Sequence, residues 1–63
     1  MADADDFRLI RDIVAHGGHK QTLGNVDRTR YQRLVDLSWL DAFPFPGGVL
    51  YQVTERGRAA AAR

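Results

Sequence analysis

The chain has 63 residues, 44% hydrophobic and 27% charged, with no cysteine and a formal net charge of +1. A chain this short buries only about 60% of the surface it exposes when unfolded, so its core must be compact or shared with a second chain. The missing cysteines exclude a disulfide scaffold, a zinc ribbon and thiol catalysis, and the longest apolar run, Ala59–Ala62, is too short for a membrane helix. An acidic start (Asp3, Asp5, Asp6) stands where a secretory signal needs cations and an apolar stretch, so the expectation is one cytoplasmic domain over residues 1–63.

In chain order, Asp3, Asp5 and Asp6 supply the capping oxygens and negative charge that a helix N-terminus favours. Phe7, Ile10, Ile13 and Val14, with Leu9 at the margin, then recur at helical spacing, and Gly17-Gly18 stops the helix, which is predicted over residues 5–16. Lys20–Leu23 reads as a short strand, followed by a turn at Gly24-Asn25. A second helix is predicted over residues 27–38, with Thr29 and Gln32 at capping-box spacing, Tyr31, Leu34, Val35 and Ser38 on its inner face, and Leu37 beside them. Trp39–Phe43 and Val49–Val53 read as strands of a hairpin that turns through Pro44–Gly48, and Thr54 caps a last short helix rich in alanine. The fold class expected is therefore small α+β, in the order helix, short strand, helix, hairpin, short helix.

The charge is informative in its distribution. Residues 1–24 carry four acids against three cations and residues 25–63 four acids against six arginines; eight of the nine cations are arginine, and Arg28, Arg30 and Arg33 fall close together. Guanidinium groups match phosphates and base edges better than ammonium groups do. The stretch Tyr31–Phe43, with Leu37-Ser38-Trp39-Leu40, followed by Tyr51-Gln52-Val53-Thr54-Glu55-Arg56-Gly57, resembles the winged helix-turn-helix domain of MarR-like and PadR-like bacterial transcription regulators. The resemblance covers roughly residues 29–60 and implies that residues 27–38 form the recognition helix of a DNA-binding module. Two differences stand out. Only residues 17–26 separate the first helix from the recognition helix, which leaves no room for the usual positioning helix, and the wing tip Phe45-Pro46-Gly47-Gly48 carries no cation.

On this reading Arg28, Thr29, Arg30, Gln32 and Arg33 would contact bases and phosphates of double-stranded DNA, and Arg56 and Arg58 would flank the wing. The plainer reading of the same residues is a solvated face on which Arg33 pairs with Asp36. The aromatic wing suggests a second class of function, contact with a protein partner or a second copy of the chain. Trp39 and Phe43 are expected in the core, leaving Phe45 and Pro46 exposed as the contact. Asp12, His16 and His19 have a spacing compatible with a metal, but histidines at a helix end more often answer its dipole, so no metal or cofactor is expected. With a single serine, Ser38, pointing inward by helix phase and no nucleophile placed beside a base, the sequence reads as non-enzymatic, with no small-molecule substrate evident.

Overall fold

A computed structural model describes all 63 residues, Met1–Arg63. The elements are α1 (Ala4–Ala15), β1 (His19–Leu23), α2 (Thr29–Asp36), β2 (Leu40–Phe45), β3 (Gly48–Val53) and α3 (Glu55–Ala61). The chain is thus α+β in the order expected, and no helix is long and apolar enough to cross a membrane.

α1 begins where the aspartates lead it to begin. The Asp3 side chain accepts the Asp6 N–H and the Asp6 side chain accepts the Asp3 N–H, both at 3.0 Å, so two otherwise orphaned donors are satisfied reciprocally. Its inner face buries Leu9, Ile10 and Ile13. The helix ends in a paired closure: the Gly18 N–H reaches the Ile13 carbonyl at 2.9 Å and the Gly17 N–H the Val14 carbonyl at 3.1 Å, with Gly17 at φ +107°. The Gly18 carbonyl then accepts the Val53 N–H at 2.9 Å, tying the helix end to the last strand.

β1 does more than the sequence suggested. It starts at His19 and pairs along its whole length with β3, which also pairs with β2, giving an antiparallel sheet of order β1-β3-β2. The hairpin turn is tighter than the expected Pro44–Gly48. β2 runs on to Phe45, Pro44 pairs opposite Val49, and only Pro46-Gly47 turns. Proline is tolerated there because β2 is an edge strand with one side free of ladder bonds.

α2 is shorter than the expected 27–38, and the Thr29/Gln32 capping box is absent. Asp27 instead accepts both the Thr29 N–H (2.9 Å) and the Thr29 hydroxyl (2.7 Å), starting the helix from one residue further back. The helix closes as α1 does, with the Trp39 N–H on the Leu34 carbonyl and the Ser38 N–H on the Val35 carbonyl, both at 2.9 Å. That closure puts Ser38 at φ +64° and exposes it, so Ser38 does not point into the core as its helical phase implied.

One face of the sheet carries the helices. The core is Leu9, Ile10 and Ile13 of α1, Leu34 of α2, Leu40, Tyr51 and Val53 of the sheet, Trp39 and Ala60. Phe7 meets Trp39 with ring centroids 5.0 Å apart, and Tyr31 stacks on Tyr51 at the same separation. Ile10, Leu34 and Leu40 are fully enclosed, each contributing about 1.5–3 kcal/mol relative to an exposed side chain. α3 is fixed by Thr54, whose hydroxyl accepts the Gly57 N–H (3.1 Å) and donates to the Ser38 carbonyl (2.6 Å) while its own N–H reaches the Trp39 carbonyl (3.0 Å).

Candidate nucleic-acid interface

The arginine cluster at the start of α2 divides into two kinds of residue. Arg28 is half-buried and directed inward. Its Nε donates to the Thr22 hydroxyl (2.8 Å) and its two terminal nitrogens to the carbonyls of Gly24 (2.6 Å) and Val26 (3.4 Å), so it holds the β1–α2 connection together. Thr22 is itself buried and donates to the Val49 carbonyl at 3.0 Å, extending the tie into β3. Arg33 reaches back to α1. Its Nε and Nη2 lie 3.1 and 2.7 Å from the two oxygens of Asp6, and Nη2 is 3.4 Å from Asp3. The Arg33–Asp36 pair expected along the helix is therefore not formed; Asp36 accepts from Gln32 at 3.0 Å instead.

The electrostatics agree with this division. The Asp6 side chain is only 5% exposed, and hydrogen bonds from Arg33 hold its carboxyl below the ordinary 3.8 despite the opposing effect of burial. The same carboxyl holds the Arg33 guanidinium charged still more firmly than usual. Asp27 is likewise lowered, first by the Thr29 hydroxyl and then by the Thr29 N–H. The outermost ridge of α2, Thr29, Gln32 and Asp36 with Asp27 before it, thus presents two carboxylates and polar groups already bonded to them.

Arg30 alone of the cluster carries no such tie. It lines a shallow trough of about 550 Å³ with Arg8 and Arg11 of α1, Leu9, Asp12 and Tyr31. Three arginines from two helices thereby line one trough together with the half-buried Tyr31. Arg8 shares its charge with Asp5 at 3.2 Å, where both side chains are largely exposed and the pair is weak. Arg11 has no partner. A second hollow continues from Leu9, Asp12 and Tyr31 toward His16 and Lys20, adding a cation at the β1 edge. Asp12, the only carboxylate along this path, is engaged by His16, whose Nδ1 lies 2.8 Å from the Asp12 carbonyl and 3.5 Å from its carboxylate.

A family model described as DUF3860-like matches residues 2–63. The chain belongs to this family. The match spans nearly the whole length, so both helices lining the trough, all three strands and α3 lie within the family's unit. No curated protein matches the chain.

Of the residues singled out from sequence, Arg30 joins the trough, whereas Arg28 and Arg33 brace the fold and Thr29 and Gln32 are bonded to neighbouring carboxylates. Arg56 and Arg58 are exposed on α3 and do not line the trough; Arg58 lies against Gly18 at the end of α1. Sequence reasoning missed Arg8 and Arg11, although two cations three residues apart on the polar face of α1 were visible as a pattern. What was not visible was that Arg30 would be carried to the same place.

The wing also differs from expectation. Trp39 is buried, but Phe43 is 48% exposed and Phe45 half-buried, the reverse of the order predicted. The cause is the pleat: Leu40, Ala42 and Pro44 share the face toward the helices, which leaves Phe43 and Phe45 on the open side. Pro46 is exposed at the turn, and Phe45 folds back over Gly47.

Proposed function

We propose that this chain is a small non-enzymatic DNA-binding module that grips the phosphate backbone of a duplex through the trough between α1 and α2. The observation that carries the reading is the convergence of Arg8, Arg11 and Arg30 beside Tyr31, with Lys20 continuing the positive path. Planar guanidinium forks pair with phosphate oxygens bidentately, and three of them on two helices suit the successive phosphates of a backbone. The resemblance to winged-helix regulators supports a nucleic-acid role and a cytoplasmic location. The contact proposed differs from the one that resemblance implies, because the α2 ridge carries Asp27 and Asp36, which the phosphate-lined mouth of a major groove would repel. Backbone contacts position a protein without reading sequence, so the module discriminates poorly among duplexes.

The test is a titration of mixed-sequence duplex DNA at several salt concentrations. Wild-type affinity should fall steeply with salt, and combining Arg11→Ala with Arg30→Ala should flatten the log–log slope by about 2, close to one unit per phosphate contact removed. Absence of binding at the lowest salt, or an unchanged slope in the double variant, would sink the reading.

A second reading, contact with another protein through the wing, is favoured by a different observation. Phe43 and Leu23, 48% and 60% exposed, stand on the uncovered face of the sheet, so the contact residues would be these rather than Phe45 and Pro46 alone.

A further inference from the structure

The arginine trough and the hollow beyond it share Leu9, Asp12 and Tyr31; the trough adds Arg8, Arg11 and Arg30, and the hollow adds Ile13, His16, His19 and Lys20. A phosphate backbone that follows this path from Arg30 to Lys20 therefore passes one negative charge. The Asp12 side chain is 66% exposed and is paired with no arginine or lysine; its one ionic neighbour is His16.

His16 is placed to answer that charge. Its Nδ1 lies 2.8 Å from the Asp12 carbonyl, and since a carbonyl only accepts, Nδ1 carries the hydrogen and Nε2 of the neutral ring carries the lone pair. One nitrogen thus holds the ring to the helix end, 3.5 Å from the Asp12 carboxylate, and the other takes up a proton without the ring having to move. The charged and titratable groups around the hollow are Asp12 on the same helix, His19 and Lys20 from β1 and Tyr31 from α2, while Arg58 of α3 lies against Gly18 at the helix end. Of these residue types only histidine ordinarily changes charge between pH 5 and 8.

We infer that Asp12 and His16 couple the affinity of this path for a phosphate backbone to pH. With the imidazole neutral, the carboxylate opposes the backbone; a proton taken from water onto Nε2 makes the ring a cation that offsets it. The inference rests on the reading of the trough as a duplex site and adds a control to that site. A phosphate nearby favours the protonated ring, so binding takes up protons and affinity rises as the pH falls through the histidine range near about 6.5. His19, whose ring sits against Gly17 and lines the same hollow, acts in the same direction.

Titration of mixed-sequence duplex DNA at constant ionic strength, from about pH 8 down to about pH 5.5, tests it. Wild-type affinity should rise about fivefold or more over that range. His16→Gln, whose amide still has an N–H for the Asp12 carbonyl, should lose most of the rise, and His19→Gln should keep most of it. Asp12→Asn should bind about fivefold more tightly than wild type at the alkaline end, because the opposing charge is gone. All three positions are exposed, and thermal unfolding of each variant at both ends of the range checks that the fold is kept. A wild type that binds with steep salt dependence but the same affinity at every pH overturns the inference and leaves the duplex reading standing, whereas no binding at any pH overturns both. A full rise retained in His16→Gln, or no gain in Asp12→Asn at the alkaline end, also overturns the inference.

Discussion

Ser38 shows how a single position can be set against its own residue type. The closure of α2 requires a left-handed residue between Leu37 and Trp39, and Ser38 supplies it at φ +64°, whereas the same closure after α1 has Gly17. A left-handed conformation costs an ordinary L-residue about 1–2 kcal/mol, which glycine avoids. The Ser38 side chain is exposed and makes no hydrogen bond; its carbonyl, which accepts from Thr54, would be kept. Ser38→Gly should therefore stabilise the fold by about 1 kcal/mol, read as a rise in thermal midpoint of a few degrees, after allowing for the greater freedom of glycine in the unfolded chain. A fall in the midpoint would show that the strain is absent. The helical phase of Ser38 suggested a buried hydroxyl because phase arguments assume that the helix continues, and here it stops at Asp36.

At the level of elements, the phrase Thr54-Glu55-Arg56-Gly57 has a mechanical meaning. Thr54 caps α3 and ties it to the end of α2, and Gly57, one turn on, lies directly against the Trp39 carbonyl, where a Cβ would collide. Replacing a helical glycine by alanine ordinarily stabilises by roughly 0.5–1 kcal/mol. At Gly57 the sign should reverse. Overpacking against a rigid backbone carbonyl should make Gly57→Ala destabilising by about 1–3 kcal/mol in denaturant unfolding, with α3 pushed off α1 and the Arg63–Phe7 contact, 5.5 Å from guanidinium to ring centre, lost with it. A neutral or stabilising Gly57→Ala would show that α3 is free to shift. The capping threonine was legible in sequence because a cap is a local device. The need for glycine three residues later was not, since it depends on the Trp39 carbonyl, just ahead of β2 and eighteen positions earlier in the chain.

For the molecule as a whole, the Asp6–Arg33 pair is the polar link between the first helix and the second, spanning 27 positions at the edge of the core. It makes acid stability depend on one buried carboxylate. Asp6 titrates below its ordinary 3.8 when folded, so its contribution is fully present above that value and is lost as the pH falls below it, through the lowered folded value. Asp6→Asn should lower stability at neutral pH by about 1 kcal/mol and flatten the acid limb of the stability curve below pH 4, measured by urea unfolding at a series of pH values. An unchanged acid limb would mean that another carboxylate governs it. For a domain whose total stability is of the order of a few kcal/mol, one such link is a sizeable fraction.

Periodicity, capping aspartates, paired glycines and the Pro46-Gly47 turn are interactions among near neighbours, and they settled the order of the elements and the fold class from the sequence alone. They also disclosed an arginine cluster, though not its use. Whether Arg33 pairs with Asp36 or with Asp6, and whether Arg8 and Arg11 stand beside Arg30, are decided by groups far away in the chain, and Arg28 meets the oxygens of Thr22, Gly24 and Val26 because the connection before α2 folds back over it. The same is true of the wing, where the pairing register buried Leu40 and left Phe43 outside. A guanidinium group or an aromatic ring has the same local propensity whichever partner it finds. Only the tertiary structure, by fixing which partners come within reach, decided which arginines brace the fold and which remain free to bind.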